Sequence, residues 1–245
     1  MILLREKPFA FSIFEERVDN TCHYCFAAGT SGESDIGGDT QNSSDDGCKA
    51  SLMRCSRCRF ARYCNVQCQR NDFADHKLQC RALAAVDPAY PSMDTRLFAQ
   101  VILKVLASRQ TDGKSQVTAA HPERTLWDMV SHYDRLHDDP STKKSDAMFE
   151  PGKKSRSEKP DSKTRTVFEK FTLEDLLGVY CRIDINSVSI RDRADAKAGI
   201  ALYLRHSWID HSCVPNCSYF HCGQDIALNK AKISTRVNNE GATGI

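Results

Sequence analysis

The chain has 245 residues, of which 40 % are hydrophobic and 27 % charged, with a formal net charge of +2. That length allows one large or two small domains, and nothing in so even a charge balance implies nucleic-acid binding through bulk charge. Twelve cysteines are many for this length, and they mean either disulfides outside the cell or metal inside it.

The opening MILLREKPFAF argues for the second. Arg5, Glu6 and Lys7 interrupt it before an apolar signal core forms. No stretch of the chain approaches the roughly 20 apolar residues of a membrane span. A reducing compartment, nucleus or cytoplasm, is expected. Residues 1–14 are otherwise apolar and β-prone and read as a strand or two.

Eight metal-ligand residue types then follow in one ordered run. Cys22 and Cys25 form a C-x2-C knuckle, and Cys55 and Cys58 a second. Cys64 and Cys68 follow as C-x3-C, and His76 and Cys80 as H-x3-C. Zinc takes four N/S ligands in a tetrahedron, and each such pair supplies two. Eight ligands predict two zinc ions in a module over residues 22–80. The bland reading, free or core cysteines beside an ordinary polar histidine, does not account for the order. Residues 29–47 are rich in Gly, Ser and Asp and are expected to form a flexible insert. Cys48 lies outside both knuckles and reads as a spare thiol.

Beyond the run, Leu97, Phe98, Val101, Ile102, Val105 and Leu106 recur at helical spacing and predict a helix over 92–108. A weaker helix is expected from about Glu123 to Leu136. Together these make residues 92–137 a helical connecting segment. Residues 138–168 read as a basic, solvated linker, with a nuclear-import or acidic-partner patch as the sharper alternative. Thr172 and Asp175 have the form of a capping box, predicting a third helix with an apolar face of Leu173, Leu176, Leu177 and Tyr180. In RIDINSVSI the alternation of Ile183 and Ile185 slips at Asn186–Ser187, which predicts a strand with a bend or bulge. Residues 218–229 read as a hairpin turning at Cys222–Asp225.

Two segments carry a family resemblance. From Cys55 the spacing C-x2-C-x5-C-x3-C-x7-H-x3-C, with Arg62-Tyr63-Cys64, Gln69, Asp72 and His76-Lys77, resembles the MYND zinc finger. The chain departs from it in the 29 residues between Cys25 and Cys55, and in Phe73, where the family usually has Trp. That aromatic lies near the groove used for proline-rich peptides. The resemblance implies one ion on Cys22, Cys25, Cys64 and Cys68, and another on Cys55, Cys58, His76 and Cys80. The segment WIDHSCVPNC, with GIALYL and INSVSI upstream, resembles SET-domain lysine methyltransferases. A SET domain interrupted by a MYND finger is the layout of the SET-and-MYND family. That resemblance implies an α+β fold: a β-rich SET domain split by the finger, with residues 1–20 as its first strands, residues 172–232 as its core and 233–245 as a tail.

The family's chemistry is methyl transfer from S-adenosylmethionine to a lysine amine, on histones or other proteins, with roles in transcription regulation. By resemblance, Asn186 contacts the methionine moiety, and Asp210 and His211 occupy the Asn-His pair lining the cofactor. Asp210 replaces an amide with a group that, when ionised, only accepts hydrogen bonds. Cys213 would be one ligand of a third zinc site, while Cys217 and Cys222 read as core or strand residues. The family's Gly-x-Gly loop, catalytic Tyr and later cysteine cluster have no counterpart in this sequence. The expectation is therefore an incomplete SET lobe, in which Trp208, Ile209 and Phe220 lose cover, beside an intact zinc finger that binds partner proteins. A non-enzymatic zinc-finger adaptor or transcriptional regulator is the alternative. Nucleic-acid binding through Arg54, Arg57, Arg59, Arg62 and Lys77 is a lesser option, since such charges more often form a solvated rim.

Overall fold

The computed structural model describes residues 2–29, 51–109, 124–133, 170–209 and 212–230. Segments distant in sequence are joined by β pairing. Strand β1 (Ile2–Glu6) pairs antiparallel with β8 (Asp225–Lys230), and β8 pairs with β7 (Cys217–Cys222). Strand β2 (Ala10–Ile13) pairs with β6 (Lys197–Leu202), which also pairs with β5 (Ser187–Arg191). The fold is α+β, and the strands ahead of the finger complete two sheets built mainly from residues 187–230.

The β2–β6–β5 sheet is buried on both faces. One face carries Phe11, Ile13, Ile190, Ala201 and Tyr203 into a core shared with Phe26, Phe60, Tyr63 and Leu83 of the finger. The other face sends Ala10, Leu202 and Leu204 into a second core, against helices α2 (Met93–Arg109) and α3 (Leu173–Asn186). Successive strand residues point to opposite faces, so one short sheet serves both partners. The strands approach closely at Gly199, where an added Cβ would stand 2.1 Å from the Ser12 carbonyl oxygen.

Helix α2 also caps the sheet edge. β2 is an edge strand, and the amide of Phe11 donates to Gln100 Oε1 at 2.7 Å, on a glutamine that is wholly buried. Replacing Gln100 by Leu leaves that amide without an acceptor in the interior. We expect Gln100→Leu to cost about 1–3 kcal/mol, measured as a lowered urea midpoint of the zinc-loaded chain. An unchanged midpoint would show that the bond is dispensable.

Helix α3 begins as predicted: Thr172 Oγ1 accepts from the Asp175 amide at 3.0 Å, and the Asp175 carboxylate accepts from the Thr172 amide at 2.9 Å. Its buried residues include Leu177, Val179 and Ile183, with Leu176 half-buried beside them, whereas Leu173, placed on that face from sequence, is exposed. Two expectations are corrected. RIDI is the last turn of α3, and the slip at Asn186–Ser187 is the helix-to-strand boundary, not a bulge inside a strand. Near Glu123–Leu136, Leu126–Asp128 is one 3-10 turn, and Met129 is extended. There the Thr125 amide donates to Asp128 Oδ2 at 2.6 Å, closing the turn on itself. The hairpin at 218–229 forms one residue longer at each end and turns at Gly223, whose φ of +63° suits glycine. The expected linker and tail, residues 138–168 and 233–245, and nearly all of the 29–47 insert lie outside the described residues. So does Cys48.

Candidate metal centre

The finger is built from two similar turns. The amide of Phe26 donates to the Cys22 carbonyl at 3.0 Å, and the amide of Arg59 to the Cys55 carbonyl at 2.9 Å. Phe26 and Arg59 both take left-handed backbone, with φ of 56°. Each turn thereby bends back after its C-x2-C pair and presents two sulfurs to one side. Strands β3 (Met53–Arg54) and β4 (Arg62–Tyr63) flank the second turn. Helix α1 (Val66–Ala85) follows, capped by Asn65, whose side chain accepts from the Cys68 amide at 2.9 Å. Its buried residues Asp72, His76, Cys80 and Leu83 recur every three or four positions, so His76 and Cys80 face inward together.

The eight side chains converge as two groups of four. Cys22, Cys25, Cys64 and Cys68 form one group, and Cys55, Cys58, His76 and Cys80 the other; within each, the ligand atoms lie within 4.8 Å of one another. The turns and the helix thus interleave across the module, in the grouping that the resemblance implied.

The spacings suit zinc. Zn–S bonds near 2.3 Å and Zn–N bonds near 2.0 Å in a tetrahedron put sulfurs about 3.8 Å apart, and sulfur and nitrogen about 3.6 Å apart. Cys55 and Cys80 sulfurs are 3.8 Å apart, and those of Cys25 and Cys64 3.5 Å. His76 Nε2 lies 3.6 Å from the Cys58 sulfur and 3.3 Å from that of Cys55. None of these sulfur pairs is near the ~2.05 Å of a disulfide, and no disulfide links the described cysteines. Two zinc ions fit these two sets.

The electrostatics agree. Burial pushes the His76 pKa down to about 4, so the imidazole is neutral and able to ligate at neutral pH. Burial pushes the Cys80 thiol up to about 12, while a hydrogen bond with Cys22 draws the Cys25 thiol down to about 7. A bound dication supplies the positive charge that thiolates in such a site otherwise lack. Neighbouring groups fix the frame: Tyr63 donates to Asp72 at 2.7 Å, and Tyr90 to the Cys58 carbonyl at 2.9 Å.

Residues 22–80 match the MYND finger family. Over 232 residues, 94 % of this chain and 46 % of the relative, the sequence is 28 % identical to human histone-lysine N-methyltransferase SMYD3. It is 30 % identical over 174 residues to zebrafish N-lysine methyltransferase SMYD2-A, covering 69 % of this chain and 35 % of that one. Chicken N-lysine methyltransferase SMYD2 is 28 % identical over 184 residues, 70 % of this chain and 37 % of its own length.

The chain belongs to the SET-and-MYND family.

It spans less than half the length of these curated relatives. In this SET-and-MYND protein Asn186 ends helix α3. Its Nδ2 donates to the carbonyls of Val130 at 2.9 Å and Arg182 at 2.8 Å. Asp210 and His211 lie outside the described residues, but the approach to them is held by Glu6. That buried carboxylate of β1 accepts from the amides of Arg205 and His206, each at 2.9 Å, and burial raises its pKa. Sequence reasoning did not single out Glu6; a lone acid ending an apolar strand was the available signal. Beside this segment a recess of about 530 Å³ is lined by Leu4, Arg124, Asp128, Arg205, Trp208 and Leu228, among others. Trp208 is 75 % exposed and stacks under Arg124. Ile209 and Phe220 are also exposed.

Cys213 is exposed, and the described residues hold no third cluster of metal-ligating groups. Cys217 and Cys222 end strand β7, and neither is core. No described helix is long and apolar enough to cross a membrane.

Proposed function

We propose that this SET-and-MYND protein presents a two-zinc finger to partner proteins and carries the cofactor-binding part of an S-adenosylmethionine-dependent protein-lysine methyltransferase. The observation that carries the reading is the pair of complete four-ligand sets, within an alignment of 94 % of the chain to a histone-lysine N-methyltransferase. Proline-rich segments meeting the finger near the exposed Phe73, and lysines of histones or other proteins, are the partner and substrate classes.

Asn186 supports the cofactor part. Its amide nitrogen is spent on two carbonyls, which orients the side chain and leaves its carbonyl oxygen as an acceptor. An acceptor suits the ammonium of a methionine moiety. Asp210 and His211 would complete the lining, with the Glu6 bonds fixing the segment that leads to them. S-adenosylmethionine supplies an electrophilic methyl group when bound, and the protein's part is to orient it toward a deprotonated amine.

Calorimetric titration of S-adenosylmethionine into the zinc-loaded chain tests this. Saturable binding is expected, weakened about tenfold or more in Asn186→Ala, as for loss of a hydrogen bond to a charged group. Absence of heat from a folded chain with both ions bound would reduce the function to that of an interaction module.

A further inference from the structure

Charge is lopsided in the part of the chain that follows the acidic insert. Residues 51–85 hold seven cations (Arg54, Arg57, Arg59, Arg62, Arg70, Lys77 and Arg81) against two carboxylates, Asp72 and Asp75, while the whole chain is only +2. The structure sorts these charges. Arg62 is buried and paired with Asp19, and Arg59 lies 3.9 Å from Asp87. Asp72 is buried under the Tyr63 hydroxyl, and Asp75 is held by Lys104 at 2.7 Å. The remaining five cations are exposed, and among the described residues none of them forms a salt bridge.

Three of the five share one face of α1. Arg70, Lys77 and Arg81 are spaced by seven and four residues, which returns them to a single stripe. At the end of the stripe Arg81 meets Arg57 across a recess of about 610 Å³, lined further, among the described residues, by Ala84 and Ala85. Arg81 lies eight residues beyond Phe73, about 12 Å along the helix, so the recess is separate from that aromatic. The negative end of the helix dipole, about half a charge, is outweighed there by two guanidinium groups.

We propose that the α1 stripe and the Arg57–Arg81 recess form a docking site for an acidic peptide segment, with carboxylates on the guanidinium groups and a small apolar side chain over Ala84 and Ala85. This deepens the reading of the finger as a protein-binding module and rests on it. Arg70 to Arg81 spans about 16 Å, the reach of some five extended residues. That is the scale of a short linear segment. Planar guanidinium groups suit bidentate carboxylate recognition. A nucleic acid fits less well, because its backbone calls for a longer cationic track with stacking aromatics, and the recess is floored by alanines.

The test uses the zinc-loaded full chain and a fluorescein-labelled peptide of about ten residues alternating Glu with Leu and Ala, read by anisotropy at low salt. Saturable binding is expected. It should weaken at least tenfold in Arg57→Glu/Arg81→Glu and in the milder Arg57→Gln/Arg81→Gln, and fall similarly when the peptide's Glu residues become Gln. Lys197→Glu/Lys230→Glu, an equal charge change at the exposed ends of β6 and β8, should leave it unchanged. Binding that ignores the arginine changes, or no saturable binding while both zincs are retained, would overturn the proposal. So would tighter, Arg57- and Arg81-dependent binding of an oligo-dT strand. Zinc content measured on the same samples reads the finger itself, so loss of metal and loss of docking are separate results.

Discussion

Stripping zinc with a strong chelator at neutral pH is expected to unfold residues 22–80 and to loosen the sheet beneath them. Among the described residues, the finger's regular structure is one two-stranded ribbon and one helix. Its buried side chains, Phe26, Phe60, Tyr63 and Leu83, complete a core shared with β2, β5 and β6. Such a module has too little interior of its own, and metal supplies its folding free energy, on the order of 10 kcal/mol per ion. Seven thiols must ionise to hold the two ions, so acid competes with zinc and the same loss should follow a fall in pH. Because the core is shared, hydrogen exchange should quicken in β2 and β6 as well as in α1. Unchanged circular dichroism after complete metal removal would contradict this account of the finger. Exchange confined to the finger would contradict the coupling.

Gly199→Val should be about as damaging to the sheet as metal loss is to the finger. Gly199 lies on β6, between Ile13 of β2 and Ile190 of β5. An added Cβ would stand 2.1 Å from the Ser12 oxygen and 2.8 Å from the Ile13 Cα. Both obstacles are backbone, so no side-chain rotation relieves them, and β2 must separate from β6. β2 carries Ala10 into one core and Phe11 and Ile13 into the other. We expect a loss of about 3 kcal/mol or more, at or beyond the upper end of ordinary overpacking. Chemical denaturation of the zinc-loaded protein measures it. A variant within about 0.5 kcal/mol of the parent, the range of neutral surface changes, would mean that the strands can part without loss.

The metal centre was legible because its signal is local: ligand pairs at fixed short spacing, and a helix that sets His76 and Cys80 one turn apart. The start of α3 was legible for the same reason, since Thr172 and Asp175 satisfy each other's amides. The end of α3 was not. Ile183 and Ile185 alternate like strand residues, and only packing of Leu176, Val179 and Ile183 against α2 and Leu202 decides for helix. The weak helix near residue 126 failed because the Thr125–Asp128 box closes a 3-10 turn, after which the backbone runs extended. Pairing of β1 with β8 and of β2 with β6 joins residues about two hundred positions apart, and no local pattern encodes it. The cationic stripe on α1 was half visible. The finger's basic residues could be counted, but that Arg62 and Arg59 are spent on Asp19 and Asp87 while the α1 stripe is left unpaired among the described residues depends on the fold.

Native mass spectrometry of the chain, purified without chelator or added metal, tests the central claim most directly. Two zinc ions per folded chain are predicted, falling to one in Cys64→Ala and one in Cys80→Ala, because each substitution disables a different four-ligand set. A folded parent chain carrying one ion or none, or a single substitution that leaves both ions bound, would contradict the two-site finger.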